Sequence, residues 1–303
     1  MTGQGTIDFA GLDGRIWLDG QLVAWKEARL HALTHALHYG SAVFEGQRAY
    51  GGNIFKLTQH TRRLHRSANM LGFEIPWCVA QINQACEEVL RANHLADAYL
   101  RPIAWRGSET MSVSAEPTRV HLAVAAWAWT SYFPPATVSM GLRLDLARWR
   151  RPPPATAPTA AKASGLYIIC TMAAEAAHAR GYDDALMLDW RGRVAEATGA
   201  NIFFVRDGAL YTPPPDCFLD GITRRTIIDL ARRRGIDVIE RPIWPRDLDR
   251  FEQCFLTGSA AEVMPVRAAG PWSFEVGALT LQLREDYLNL VNGRLAGLER
   301  DAA

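Results

Sequence analysis

TSYFPPATVSMG, residues 130–141, concentrates Pro, Ser, Thr and Gly between two apolar runs and reads as a connection between domains. On its N-terminal side, RIWLDGQLVAW (15–25) sets two short apolar runs around Asp19-Gly20, a dipeptide that suits the positive φ angles of a tight β-hairpin. Residues 56–71 then place Leu57, Leu64, Ala68 and Leu71 at helical spacing, and Ile82, Cys86, Val89 and Leu90 repeat the pattern in a second helix. YLRPIAW (99–105) and VHLAVAAWAW (120–129) are rich in strand formers and bounded by turn-like sequence. Hairpin, helices and strands make a smaller α+β domain over residues 1–132, with 133–142 as the interdomain loop.

On the C-terminal side, LRLDLARWRR reads as a strand, RPPPATAPTAAKASG as an extended loop and YIICTMAAEAAHARG as a helix stopped at Gly181. ALMLDW, RGRVAEA, NIFFVRDG and ALYTP are short strands with turns at Arg191-Gly192 and Asp207-Gly208. The helix ITRRTIIDLARRRG, closed by Gly235, and the strand-like DVIERPI follow. Residues 143–303 therefore form a larger, mixed and strand-rich domain, without internal repeats or low-complexity tracts.

The 303 residues are 49% hydrophobic and 21% charged, which suits a globular chain with a sizeable core. A formal net charge of +1 gives no field to hold a polyanion or an acidic membrane surface, so nucleic acid is not expected as a partner. The five cysteines are scattered without CxxC or Cys/His spacing, which argues against a metal site and a disulfide framework. The N-terminus lacks a basic region followed by an apolar stretch, and no apolar run approaches the roughly 18–20 residues of a membrane span, so a cytoplasmic location is expected. Basic residues are nearly all arginine, and the only lysines are Lys26, Lys56 and Lys162. Chemistry that needs a neutral side-chain amine has those three candidates, since arginine stays protonated.

Four features could carry chemistry. Lys162, in PTAAKASGLY, has Ala, Ser and Gly neighbours that leave room for a bulky group, and burial beside a cation would depress its pKa as Schiff-base formation requires. Its ordinary reading is a surface lysine in a loop. Glu196, in RVAEATGANIFFV, stands at a strand end where a carboxylate could hold a pyridine nitrogen protonated, or could simply be solvated. Gly221 precedes a helix opening at Ile222-Thr223, whose unpaired N–H groups and hydroxyl could bind phosphate or form an ordinary capped helix start. Gly258-Ser259-Ala260 is a second small-residue turn with free amides and a hydroxyl, or only a tight turn. Together they supply an amine, an acidic partner for a ring nitrogen and two phosphate nests.

Read in order, LTHALHYGSAVFEGQRAY (33–50), RLHRSA (63–68), AYLRP (98–102), PTAAKASGLY (158–167), VAEATGANIFF (194–204), FLDGIT (218–223) and LTGSAAEVMPV (256–266) resemble the branched-chain amino-acid aminotransferases, pyridoxal-phosphate (PLP) enzymes of fold-type IV. The resemblance covers nearly the whole chain. It implies a two-domain fold like that of D-amino-acid aminotransferase, with PLP held between the domains, and transfer of the amino group of Leu, Ile or Val to 2-oxoglutarate by a ping-pong route. It also implies a homodimer or higher homo-oligomer whose pocket is completed by a loop of a second subunit.

By position, the resemblance makes Lys162 the lysine that carries the cofactor and moves the substrate proton. Tyr167 corresponds to the tyrosine on the PLP phenolic oxygen, Glu196 to the carboxylate on the ring nitrogen, and Arg63 to the phosphate-binding arginine. Ile222, Thr223 and Ser259 help with the phosphate, and Leu219 lies against the ring. Tyr99 and the Ser259-Ala260 turn correspond to the α-carboxylate site, and Arg101 to the arginine for the second carboxylate of glutamate. Tyr39, Phe44, Trp129 and Tyr132 correspond to the aromatic wall around the branched side chain, shaped by Gly46 and Arg48. Gln47, in place of an aliphatic residue, and ATGAN (197–201), in place of a frequent GxGEN, depart from the pattern near the site. Relatives on the same fold include D-amino-acid and (R)-amine transaminases and 4-amino-4-deoxychorismate lyase.

Overall fold

The computed structural model describes residues 7–129 and 135–295. The chain divides into two compact units, the first comprising residues 4–130 with 161–166, the second comprising 131–160 and 167–298 as its main body.

In the first unit, strands β1 (Arg15–Leu18) and β2 (Gln21–Ala24) form the hairpin expected at Asp19-Gly20, whose φ angles of 48° and 98° are those of a type I′ turn. The other strands are β3 (Ala42–Phe44), β4 (Gln47–Tyr50), β5 (Asn53–Ile54), β6 (Ala98–Arg106) and β7 (Val120–Ala128). The sheet runs β2-β1-β7-β6-β4-β5, with β3 also paired to β6. Helix α1 (His35–Tyr39) is short; α2 (Leu57–Met70) and α3 (Val79–Ala92) pack on each other, with α3 against β1, β6 and β7. The apolar spacing seen in the sequence is the buried face: Leu64, Ala68, Ile82, Cys86 and Val89 are inaccessible to solvent and pack with Leu100, Leu122 and Val124 of the sheet. Removing one such side chain, as in Leu64→Ala, costs about 2–5 kcal/mol.

Residues 161–166, distant in sequence, are sewn into this unit. Phe44 N–H donates to the Lys162 carbonyl at 3.1 Å, Lys162 N–H donates to Ser67 Oγ at 3.0 Å, and Ser164 Oγ donates to the Ala42 carbonyl. The lysine backbone is thus held by β3 and α2.

The second unit contains α4 (Pro135–Met140), β8 (Leu142–Leu146), α5 (Ile168–Ala179), β9 (Asp184–Leu188), β10 (Val194–Ala197), β11 (Asn201–Arg206), β12 (Ala209–Thr212), α6 (Ile222–Arg233), β13 (Val238–Glu240), β14 (Gln253–Gly258), β15 (Glu262–Ala269), β16 (Trp272–Ser273) and α7 (Ala278–Val291). Its sheet runs β10-β9-β8-β15-β14-β11-β12-β13, and β10 also pairs with β11, so the run from β10 to β11 closes on itself. Closure pairs strand edges that would otherwise be open. Leu142, Leu144, Leu186, Ile202, Phe204 and Val266 fill its core. Among the described residues no helix is long and apolar enough to cross a membrane.

Candidate active site

In the first unit the Lys162 side chain is partly buried, with its Nζ 4.8 Å from the centre of the Phe44 ring. Burial, followed by the Arg63 charge and more weakly Arg101, lowers its pKa from 10.5 to about 8, against opposing effects of Glu45 and Tyr99. A sizeable fraction of the amine is therefore neutral near pH 8, able to act as nucleophile or base.

Arg63 and His60 lie three residues apart on α2, on one face, and both meet Glu45, which follows β3. Arg63 Nε and Nη2 donate to the two Glu45 oxygens at 2.7 and 2.8 Å, and His60 Nδ1 lies 2.7 Å from Glu45 Oε2. All three side chains are buried, Glu45 completely. Burial alone would raise the Glu45 pKa, but Arg63 and His60 outweigh it and hold the carboxyl well below the usual range. His60 is lowered chiefly by burial, against the opposing effect of Glu45.

Strand β6 places Tyr99 and Arg101 two residues apart, hence on one face. The Arg101 guanidinium stacks over Phe44 at 4.6 Å and Tyr99 at 5.5 Å, and its Nη2 is 3.5 Å from Tyr99 Oη. Tyr99 packs against the Trp129 ring at 5.1 Å. Gly46 belongs to the same wall: a Cβ there would sit 2.0 Å from Tyr99 Oη, so only glycine fits. Arg48 is buried and lies 4.8 Å from the centre of the Tyr50 ring. Tyr39, on α1, is 45% exposed and donates its hydroxyl to the Met111 carbonyl. Tyr132 lies outside the described residues. Gln47 turns its amide to the Cys86 thiol on α3, so this departure from the family pattern sits in the helix-covered core.

In the second unit Glu196 is 7% exposed, with Oε1 3.2 Å from Arg151 Nε. Arg151 also points Nη1 at Cys170 Sγ, 3.3 Å away; burial opposes its charge, but Glu196, Cys170 and Tyr167 outweigh that and raise its pKa. Across the β10–β11 turn, Asn201 Nδ2 donates to Glu196 Oε2 at 3.2 Å and to the Leu219 carbonyl at 2.9 Å, while its Oδ1 accepts from Gly221 N–H at 3.1 Å. Leu219 is partly buried just before α6, and Ile222 and Thr223, both 3% exposed, form the first turn of that helix. Ser259 and Ala260 follow β14, partly buried, and two residues before Ser259 the Thr257 Oγ1 is buried without a hydrogen-bond partner among the described residues.

The unit groupings thus bring Lys162, Arg63, Phe44, Gly46, Tyr99, Arg101 and Trp129 into one set, and Glu196 and the start of α6 into another. Sequence reasoning does not single out Glu45, His60, Arg151 or Asn201. The FEG and GAN contexts of Glu45 and Asn201 could have flagged them; Arg151 is one arginine in an arginine-rich run.

An amine with a depressed pKa, beside a buried carboxylate–guanidinium pair, is suited to nucleophilic amine chemistry. The chain belongs to the amino-transferase class IV family, which it matches over residues 42–269. It is 40% identical over 295 residues to the branched-chain-amino-acid aminotransferase of Pseudomonas aeruginosa, covering 95% of this chain and 96% of that one. With the enzyme of the same name from Escherichia coli it shares 35% identity over 287 residues, 92% and 93% of the two chains. The fold superimposes on the branched-chain aminotransferase of Thermoproteus uzoniensis with norvaline at a TM-score of 0.90, with 37% identity and 94% and 96% coverage. The branched-chain amino acid aminotransferase of Thermobaculum terrenum in its PLP form gives 0.85, with 31% identity and 93% and 95% coverage.

Proposed function

We propose that this chain is a PLP-dependent transaminase that transfers the amino group of Leu, Ile or Val to 2-oxoglutarate, giving the branched 2-oxo acid and L-glutamate by a ping-pong route. The observation that carries the reading is Lys162, an amine with a pKa of about 8 beside Arg63 and Phe44. The donor set fits the cofactor: a cation for phosphate, a buried carboxylate for a ring nitrogen, amides and hydroxyls at a helix start, and a buried Thr257 hydroxyl with no hydrogen-bond partner among the described residues.

In this reading Lys162, Arg63, Tyr167, Glu196, Leu219, Ile222, Thr223 and Ser259 hold PLP. Bound there, it supplies a protonated pyridine ring that accepts the electron pair left when a substrate Cα–H bond breaks. Lys162 Nζ takes that proton, a task suited to an amine whose pKa lies near working pH. Arg151 gives the Glu196 carboxylate a counter-charge. Tyr99 and the Ser259-Ala260 turn bind the α-carboxylate. Phe44, Tyr39, Trp129 and Tyr132, with Gly46 and Arg48, enclose the aliphatic side chain, and Arg101 receives the distal carboxylate of glutamate by a charge-assisted pair.

The same reading takes residues 1–132 and 143–303 as the smaller and larger domains and places the enzyme in the cytoplasm as a homodimer or higher homo-oligomer. Support for self-association comes from an apolar cavity of about 530 Å³ lined by Ile16, Leu18, Ile103 and Trp105, with Leu30 and Leu37 at 51% and 62% exposure on its rim.

Borohydride reduction of the PLP-loaded protein, followed by peptide mapping, tests the assignment. The pyridoxyl label belongs on the peptide containing Lys162; label on Lys26 or Lys56 would sink it.

A further inference from the structure

PLP is a rigid ligand, so protein groups that meet its ring nitrogen and its phosphate must stand at a fixed separation, and a site held loosely by a fraction of an ångström loses affinity. Within the second unit those groups are Glu196 at the end of β10 and the first turn of α6, which are 26 residues apart between Glu196 and Ile222 and belong to different elements. One side chain touches both places.

Asn201 opens β11 and faces Glu196 directly across the hairpin. The tight turn between them is closed by Ala197 N–H donating to the Ala200 carbonyl at 2.8 Å. The Asn201 amide donates to Glu196 Oε2 and to the Leu219 carbonyl, and accepts from Gly221 N–H, the residue that caps α6. Three of the four hydrogen-bonding positions of the amide are used, in a side chain only 5% exposed. The approach is close enough that a Cβ on Gly221 would lie 2.2 Å from Asn201 Oδ1. Neither aspartate, which loses the donors, nor a residue without an acceptor can make all three bonds.

We propose that Asn201 is a positioning residue that sets the distance between the Glu196 carboxylate and the phosphate-binding start of α6, matching the enzyme to the length of PLP. The inference rests on the function proposed above. It does not give Asn201 contact with cofactor or substrate.

The test compares one ligand that needs both anchors with one that needs a single anchor. The full-length chain, stripped of cofactor, is titrated with PLP and separately with pyridoxal, which lacks the phosphate, for wild type and Asn201→Ala. A spacer role demands that the variant lose affinity for PLP by a factor roughly ten times larger than its loss for pyridoxal, as expected when one hydrogen-bonded link between two anchors is removed. Equal losses for the two ligands, or no loss for PLP, overturn the proposal, because a general loosening of the fold weakens both alike. Should the alanine variant fail to fold, Asn201→Asp, which can still accept from Gly221 N–H, is judged by the same ratio. Wild-type titration separates the two levels: if wild type does not bind PLP the proposed function itself falls, whereas wild-type binding with a ratio near one removes only the role of Asn201.

Discussion

Arg63 presents Nε and Nη2 side-on to the two oxygens of Glu45, at 2.7 and 2.8 Å, with both side chains out of solvent. Such a fork fixes the guanidinium in one plane. Glu45→Gln leaves a buried cation without its counter-charge, which should destabilise the protein by about 3–5 kcal/mol. The effect depends on pH. The folded carboxyl is held below its ordinary value of 4.5, so the unfolded chain binds the proton more readily. The Glu45 contribution is therefore complete above pH 4.5 and is lost as the pH falls below it. Urea denaturation at pH 7 and in progressively more acidic buffers should show the gap between wild type and variant narrowing; a gap that does not change with pH contradicts the pairing.

Lys162 has the same sign of dependence in a higher window. Its folded pKa of about 8 lies below the ordinary 10.5, so between those values the unfolded chain binds more protons and stability rises with pH. Below pH 8 the charged, partly buried amine is a burden. Cofactor-free Lys162→Met should then be more stable than wild type at pH 7, by at most about 3 kcal/mol, with the difference closing toward pH 10.5. Denaturation of both apoproteins at pH 7 and 9.5 checks this, and a wild type that is equally stable at pH 7 would show that the amine is not perturbed.

Gln47 offers a stability gain without functional cost. Its amide is fully buried, finds no oxygen or nitrogen partner among the described residues, and rests on the Cys86 thiol, a weak acceptor. An amide left unsatisfied in a core costs about 1–3 kcal/mol, so Gln47→Leu should raise the melting temperature while leaving kcat and KM unchanged. A changed donor preference in this variant would mean that Gln47 reaches the substrate wall.

Gly46→Ala should do the reverse. A Cβ 2.0 Å from Tyr99 Oη forces the phenol away from Arg101 and Trp129, disturbing the candidate substrate wall. Transaminase kcat/KM should fall by about tenfold or more, since a displacement of about 1 Å in a positioning group is costly to rate, and the melting temperature should fall as well, since overpacking a buried wall costs about 1–3 kcal/mol. Unchanged kinetics would place the wall elsewhere.

Local chemistry made much of this legible in the chain. Asp19-Gly20 announced a hairpin because few residues tolerate its φ angles, and the spacing of Leu64, Ala68, Ile82 and Cys86 announced two helices because one face of each had to be buried. Lys162 stood out as one of three lysines among small residues. What remained hidden depends on long-range pairing. Nothing local says that residues 161–166 join β3 and α2, or that β10 pairs with β11 to close a ring of strands. Glu45 is one of 32 acidic residues, and its distinction is the burial and the Arg63 and His60 partners that only the fold assembles. The Gln47 departure reads as a substrate matter in sequence because the family resemblance places its neighbours Gly46 and Arg48 at the aromatic wall; strand alternation sends its side chain to the other face.

The amino-donor profile tests the proposed transamination most directly. With 2-oxoglutarate as acceptor, glutamate formation should be fastest with L-leucine, L-isoleucine or L-valine and far slower with D-alanine or (R)-1-phenylethylamine. Activity confined to the D-amino acid or the amine, or release of pyruvate from 4-amino-4-deoxychorismate in place of amino transfer, would contradict it.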